Sequence, residues 1–325
     1  MKAVVYDRYG PPDVLHIEDV PKPEPKEGEV LVRVRASTVN RLDVHTREAN
    51  VSNGRAISVV SRLISGVRAP RRRILGSEFA GEVEAVGAGV GEFKPGDEVF
   101  GLTGLRYGAH AEYVAVRARS RIALKPANMS FEEAAAVPDG FTNALGCLRQ
   151  THLAPGRTVL VYGASGSIGV AGVQLARHHG ADITAVLTEK NFELLRSLGA
   201  REVIDYTRQD FTTNGKRYDV IFDAVGKHSF ARAKGSLNPG GWYLATDGMR
   251  NLLLTPWTRL FGDKKVSFTV GSPHPKQDMA FLKRLIESGE YRAVIDRRYP
   301  MDEVVEATAY VESQQKVGNV VLQIA

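Results

Sequence analysis

Gly163-Ala164-Ser165-Gly166-Ser167-Ile168-Gly169 is the stretch whose residue types and spacing are most suited to chemistry. Glycines so placed let a pyrophosphate lie against backbone N–H groups at a helix N-terminus, where a Cβ would hold it away. An apolar, β-rich run over 158–162 precedes the turn. A helical pattern follows, with Ile168, Val170, Val173, Leu175 and Ala176 as its apolar part. Gly180 ends that pattern, and a second β-run covers 183–187. A strand, glycine turn, helix and strand within about thirty residues make the unit that binds dinucleotides. The glycine pattern alone is weak, since Ala164 replaces its first glycine, and an ordinary tight turn is the bland alternative. In context the cofactor assignment covers Gly163, Ala164, Ser165, Gly166, Ser167 and Ile168.

Cofactor choice is read at the end of the second strand, at Thr188-Glu189-Lys190-Asn191. An acid there binds the ribose 2′-hydroxyl of NAD, whereas small polar and basic groups accept the 2′-phosphate of NADP. Thr188 takes the hydroxyl position and Lys190 can neutralise the phosphate. Glu189 pulls the other way unless its side chain points to solvent. Lys190 and Asn191 also read as a helix start, with Asn191 as N-cap of a helix over 192–198.

These residues need a scaffold, and the chain can build one. Its 325 residues suffice for two domains and a large core. Hydrophobic content of 43% and charged content of 25% are ordinary for a globular protein. No apolar run is long enough to span a membrane, and the start, MKAVVYDRYG, lacks a signal-peptide core. A single cysteine, Cys147, excludes an internal disulfide and a cysteine-rich zinc site. It lies in a helical pattern and reads as a small buried side chain, not a nucleophile. A reducing, cytoplasmic setting is the simplest reading. The formal charge is +6, and the densest basic run is VRAPRRR, ending at Arg73. No aromatic interleaving or groove-reading motif accompanies it. It reads as a solvated face that steers an anionic cofactor, and no nucleic-acid partner is expected.

Along the first 125 or so residues, strands and glycine turns dominate, as in a compact barrel-like β domain. Val30 to Ala36 alternates as a half-buried strand should, 78–86 and 111–116 look similar, and 57–64 reads as a short helix. Ser130-Phe131-Glu132-Glu133 is a capping box. Beyond it, strands are expected at 158–162, 183–187, 202–205, 219–223, 242–246 and 265–270. Helices are expected at 168–179, 192–198, 228–236 and 276–288. Alternating strands and helices imply a parallel sheet covered on both faces. The last strand, 319–324, falls outside that pattern and should return to the first domain. The expected division is therefore 1–127, 128–270 and 271–325.

Four motifs together resemble the medium-chain dehydrogenase/reductase superfamily, most closely its zinc-free quinone oxidoreductase-like branch. They are Val39-Asn40-Arg41-Leu42-Asp43; Gly76-Ser77-Glu78-Phe79-Ala80-Gly81 running on to Lys94-Pro95-Gly96-Asp97; the glycine turn; and Leu198-Gly199-Ala200, Val203-Ile204-Asp205-Tyr206 and Asp223-Ala224-Val225-Gly226. The resemblance covers essentially the whole chain. It implies an α/β protein with a GroES-like β-barrel-type catalytic domain and a Rossmann domain with a doubly wound parallel sheet. Zinc alcohol dehydrogenases of the superfamily use a Cys, a His and a later Cys or Asp. The matching positions are Asn40, Ser77 and Asp139. Asn and Ser are poor zinc ligands and one carboxylate cannot hold the ion, so no metal is expected.

Without a Lewis acid, the acceptor must take hydride readily, as quinones and α,β-unsaturated carbonyls do. The resemblance implies that substrate class and NADPH as donor. It places Asn40 near the nicotinamide, Tyr206 beside the 2′-phosphate and Val225-Gly226 beneath the ribose. The family's nicotinamide-phosphate threonine falls on Asn143, with Thr142 as a substitute if the register shifts. Asn319 completes the cofactor set. Asn40, Asp43 and Tyr107 are the catalytic candidates; His45 is a further possible proton donor. Bland readings stand beside these, namely a buried turn asparagine for Asn40 and structural roles for the others. Two rival functions remain open: an idle NADPH-binding protein, and an enoyl-thioester reductase using the basic face at Arg71 to Arg73. A homodimer joined at strand 265–270 is expected, against a monomer whose edge is covered by 249–264.

NADPH is expected to bind at least roughly tenfold tighter than NADH, and Lys190→Ala to cost NADPH about 1–3 kcal/mol, the range for a hydrogen bond to a charged group, while sparing NADH. Calorimetry giving equal affinities for the two nucleotides would mark this as an NAD site.

Overall fold

The computed structural model describes residues 1–49, 66–246, 249–269 and 273–324. The helix expected over 57–64 lies outside them. The chain divides into two compact units, Met1–Pro138 with His274–Ala325, and Asp139–Pro273. Residues 128–138, read from sequence as the opening of the second domain, thus belong to the first unit.

In the first unit a two-stranded ribbon joins β1 (Lys2–Val5) to β2 (His16–Asp19). The main sheet contains β3 (Glu29–Val39), β4 (Glu78–Val86), β5 (Glu98–Leu102), β6 (Tyr113–Arg117) and β7 (Arg121–Leu124). It also takes in β14 (Ile295–Pro300) and β15 (Asn319–Gln323). Val30, Val32 and Val34 of β3 are fully buried while Arg33 between them is exposed, the period-two pattern of a strand with one face on the core. That core joins them to Phe79, Val99, Ile122 and Leu322. Close backbone approach fixes where glycine must stand: a Cβ on Gly81 would sit 2.0 Å from the Arg33 carbonyl oxygen on the neighbouring strand. β15 pairs antiparallel with β3, so the C-terminal strand is an integral part of this sheet.

The second unit holds six parallel strands: β8 (Thr158–Tyr162), β9 (Asp182–Leu187), β10 (Glu202–Asp205), β11 (Tyr218–Asp223), β12 (Leu237–Ala245) and β13 (Lys265–Phe268). Their spatial order is β10-β9-β8-β11-β12-β13. The order reverses between β8 and β11, the switch point at which doubly wound sheets bind ligands. Val159, Leu160 and Val161 are all fully buried, which is why this strand reads as a continuous apolar run rather than an alternating one.

Several elements escaped the sequence reading. β12 begins at Leu237 rather than near 242, because Pro239-Gly240-Gly241 looks like a turn; the pairing with β11 shifts register there. Helix Met249–Leu260 contains Pro256, and helix Val304–Glu312 and β14 were unforeseen. The helix expected at 228–236 is a short one, Phe230–Ala233, running into a 3₁₀ turn, Lys234–Ser236. The capping box at Ser130 is formed. Asn191, by contrast, makes no side-chain cap; Glu189–Asn191 forms a 3₁₀ turn ahead of the helix Phe192–Leu198. Val266, on the strand expected to offer an open edge, is fully buried. Its N–H donates to Thr258 Oγ1 at 3.1 Å, so helix Met249–Leu260 covers that part of the edge. No helix among the described residues is long and apolar enough to cross a membrane.

Candidate active site

In the second unit the site is built on the glycine turn. Gly163 follows β8 with φ +73°, a conformation that L side chains rarely adopt. Its N–H and that of Ala164 both donate to the Val186 carbonyl, pinning the turn to β9. A Cβ on Gly169 would lie 2.2 Å from the Gly163 oxygen, so only glycine lets helix Ser167–His178 approach this closely. Gly166 is the N-cap of that helix and offers no side-chain cap. The first helical N–H groups therefore stand without a capping side chain, and a Cβ on Gly166 would meet nothing closer than 3.6 Å. Gly163, Ser165, Gly166, Ser167 and Ile168 are partly open beside buried Ala164 and Gly169. These features fit the pyrophosphate of a dinucleotide.

The turn after β11 adjoins it. Val225 lies 2.5 Å from where a Gly163 Cβ would stand, so the two loops flanking the switch point touch. Asp223, fully buried at the end of β11, shapes this second turn. One carboxylate oxygen accepts N–H groups from Val225 (3.2 Å) and Gly226 (2.9 Å). The other accepts from His228 N–H (2.9 Å) and from the Tyr243 hydroxyl (3.0 Å). Sequence reading assigned Val225 and Gly226 but missed the carboxylate that holds them, although an acid ending an apolar strand was a signal. Tyr162, Phe211 and His228 pack beside the turn, with ring centroids 4.6–5.9 Å apart, and Tyr206 lies 6.3 Å from Tyr162. Burial and the nearby Arg232 push His228 below the usual imidazole range.

Thr188 is half-buried at the end of β9, while Lys190 and Tyr206 are exposed. Asn143 stands on helix Pro138–Leu148, its amide donating to the Asp139 carbonyl (2.9 Å) and carboxylate (3.0 Å). Thr142 is buried on the same helix, so Asn143 is the more accessible of the two. Gly140 lets that helix close on the glycine turn, as a Cβ there would meet Ser167 Oγ at 2.6 Å. Cys147 is buried, and burial pushes its thiol up to about 12, which fits a packing residue.

In the first unit the catalytic candidates line helix Arg41–Glu48. Asn40 is its N-cap: Oδ1 accepts from Leu42 N–H (2.9 Å) and Asp43 N–H (3.2 Å), and Nδ2 donates to Ser77 Oγ at 2.8 Å. Asp43 completes a capping box. Its two oxygens accept from Asn40 N–H and Gly76 N–H, both at 3.0 Å. Burial pushes its carboxyl up, against the opposing pull of His110 and those two donors. With both oxygens engaged, Asp43 is a positioning residue that ties the helix start to 76–77. Thr46, two turns on from Asn40, pairs with the Tyr107 hydroxyl at 2.7 Å. Thr46 donates its one hydrogen to the Leu42 carbonyl (2.8 Å), so Tyr107 donates to Thr46. Tyr107 has φ +54°, a strained backbone for a bulky residue. His45 Nε2 lies 3.4 Å from Arg41 Nη2 on the exposed side of the helix. Asn319, 6% exposed at the start of β15, donates to the Val294 carbonyl and is thereby a strand-anchoring residue of the first unit.

Asn40 and Ser77, two of the three positions matched to zinc ligands, thus meet, but as a hydrogen-bonded amide and hydroxyl. Among the described residues one trio could converge on a metal ion, Asp7, His16 and Glu18. Arg73 already bridges its two carboxylates, at 2.5 and 2.6 Å.

Asp223→Ala strands three N–H groups and a buried phenol. It is expected to cost about 1–3 kcal/mol of stability, the penalty for unsatisfied donors, and to weaken dinucleotide binding by misplacing 225–226. Thermal melting and calorimetry check both; an unchanged affinity in the folded variant would mean that the turn does not depend on this carboxylate.

The geometry agrees with what the chain is similar to. Residues 26–127 match the family model of the alcohol dehydrogenase GroES-like domain, and residues 198–322 that of the zinc-binding dehydrogenase. The NADPH-dependent alkenal/one oxidoreductase of Arabidopsis thaliana chloroplasts is 33% identical over 99% of this chain and 79% of its own length. A quinone oxidoreductase of Pseudomonas aeruginosa is 33% identical over 99% of both chains. The solved quinone oxidoreductase of Coxiella burnetii superposes with a TM-score of 0.86 at 26% identity, covering 100% of this chain and 99% of its own. The chain belongs to the medium-chain dehydrogenase/reductase superfamily, among its quinone oxidoreductases and alkenal reductases.

Proposed function

We propose that this protein is an NADPH-dependent reductase of quinones or α,β-unsaturated carbonyls that works without a metal. The Asn40–Ser77 hydrogen bond carries the reading. Two neutral side chains, already bonded to each other, occupy positions where a zinc-dependent relative needs a thiolate and an imidazole. The uncapped helix N-terminus at Gly166 and the turn at 225–226 are the residues that would hold the dinucleotide.

Bound NADPH supplies a hydride. The acceptor must then carry the added charge on its own carbonyl oxygen, and the protein provides donors for that oxygen. Asn40 Nδ2 has a second hydrogen beyond the one given to Ser77. The proton that completes the reduction comes from the Tyr107 hydroxyl, which leaves Thr46 to donate it. Burial pushes this phenol up to about 12, so Tyr107 carries its proton throughout the neutral range. Asp43 and Thr46 position these donors.

A turnover screen with NADPH against quinones, enones, aldehydes and enoyl-CoAs, with and without chelator, tests the reading. Enones or quinones are expected to turn over at an unchanged rate in chelator, and Tyr107→Phe to lower kcat roughly tenfold to hundredfold, the lower reach of general acid catalysis. Chelator sensitivity reversed by zinc would overturn the metal-free mechanism, and stoichiometric NADPH binding with no turnover would favour the idle binding protein.

We also propose a homodimer through the edge strand at 265–270. The exposed Trp257 and Phe261, their rings tilted against each other with centroids 4.8 Å apart beside exposed Leu260, support self-association at this end of the sheet. The Thr258–Val266 bond favours the monomer instead, since it consumes an edge N–H. Light scattering is expected to show a dimer that Phe268→Pro dissociates; a monomeric parent protein would rule the edge contact out.

A further inference from the structure

Glu189 is the group most at odds with a 2′-phosphate. A carboxylate at the end of β9 suits a bare ribose hydroxyl and repels a phosphate. In the structure that carboxylate is engaged: Glu189 Oε2 lies 2.9 Å from the Arg208 guanidinium. The backbone arranges the meeting through Asp205, the last residue of β10. Asp205 Oδ2 accepts the Glu189 N–H (3.3 Å), and Oδ1 accepts the N–H and hydroxyl of Thr207 (2.8 and 2.7 Å). The Asp205 carbonyl accepts the Arg208 N–H at 3.1 Å, closing the turn that carries Tyr206. The loops after β9 and β10 are thereby held side by side, with Glu189, Lys190, Tyr206 and Arg208 together at the carboxyl edge. Hydrogen bonds from Thr207 and the Glu189 N–H hold the Asp205 carboxyl below its ordinary range.

We infer that Arg208 determines cofactor specificity: by pairing with Glu189 it withholds that carboxylate from the 2′-hydroxyl of NADH and offsets its repulsion of the 2′-phosphate of NADPH. The inference rests on the NADPH reading above and adds to it a residue outside the Thr188, Lys190 and Tyr206 set. Glu189, Asp205, Lys190 and Arg208 together carry no net charge; without Arg208 they carry one net negative charge. The side chains of Arg208 and Glu189 are 73% and 58% exposed. Such a pair contributes little to folding, so its loss should appear in nucleotide choice rather than in melting.

Calorimetry with NADPH, NADH and 2′,5′-ADP on the intact protein, Arg208→Ala, Glu189→Gln and the double variant tests this. Arg208→Ala is expected to weaken NADPH and 2′,5′-ADP by roughly three- to tenfold, a charge contact discounted for exposure, with NADH unchanged or tighter and the melting temperature unmoved. The loss should shrink as added salt shortens the screening length. Glu189→Gln in the Arg208→Ala background should recover most of it. Equal weakening of NADPH and NADH, or no recovery in the double variant, overturns the inference while the NADPH reading stands. A parent protein that prefers NADH overturns both.

Discussion

The cofactor unit depends on one close approach, that of helix Ser167–His178 to the strand end at Gly163. The Gly163 oxygen leaves no room for a Cβ at Gly169, and Gly163 itself has positive φ. Any side chain at Gly169 would push the helix off the sheet and move its free N–H groups away from the switch point. The neighbouring turn obeys the same constraint. Val225 fits against Gly163 because nothing projects from that glycine, and Asp223 then fixes the turn from beneath. The missing side chains thus create the space, and one buried carboxylate stops the backbone from filling it.

The catalytic candidates follow a different logic. Asn40, Asp43 and Thr46 recur at a spacing of three along helix Arg41–Glu48, so they share one face. That face meets Gly76, Ser77 and Tyr107, each through a hydrogen bond to one of the three. An amide, a buried carboxylate and a hydroxyl so arranged make a rigid polar surface that holds donors in place. An amide, a carboxylate already bonded to two N–H groups and a hydroxyl do not make a ligand set for a Lewis acid. Residues 198–322 nevertheless match a family model described as zinc-binding dehydrogenase.

Electrostatics decides the rest of the cofactor site. The carboxyl ends of β9 and β10 bring two acids and two cations into a small exposed area, and Asp205 spends itself on backbone and threonine donors. The remaining charges are exposed to solvent. Their balance matters because each is too exposed to contribute much alone.

The local patterns that the sequence carried were those with short-range causes. Strand 158–162, its glycine turn, the helix after it and the capping box at Ser130 need only neighbouring residues to be read, and the parallel sheet followed from their alternation. The roles expected of Asn40, Tyr206 and Val225-Gly226 came from a resemblance to relatives, not from the local pattern. Tertiary structure alone decided what those residues touch. It paired Asn40 with Ser77, Tyr107 with Thr46, and Asp223 with a turn two residues further on. It also turned Pro239-Gly240-Gly241 into part of a strand and hid Val266 beneath Thr258. The ambiguity at Glu189 shows why. Its charge is a property of the residue, but its effect depends on Arg208, nineteen positions away and brought close only by the pairing of β9 with β10.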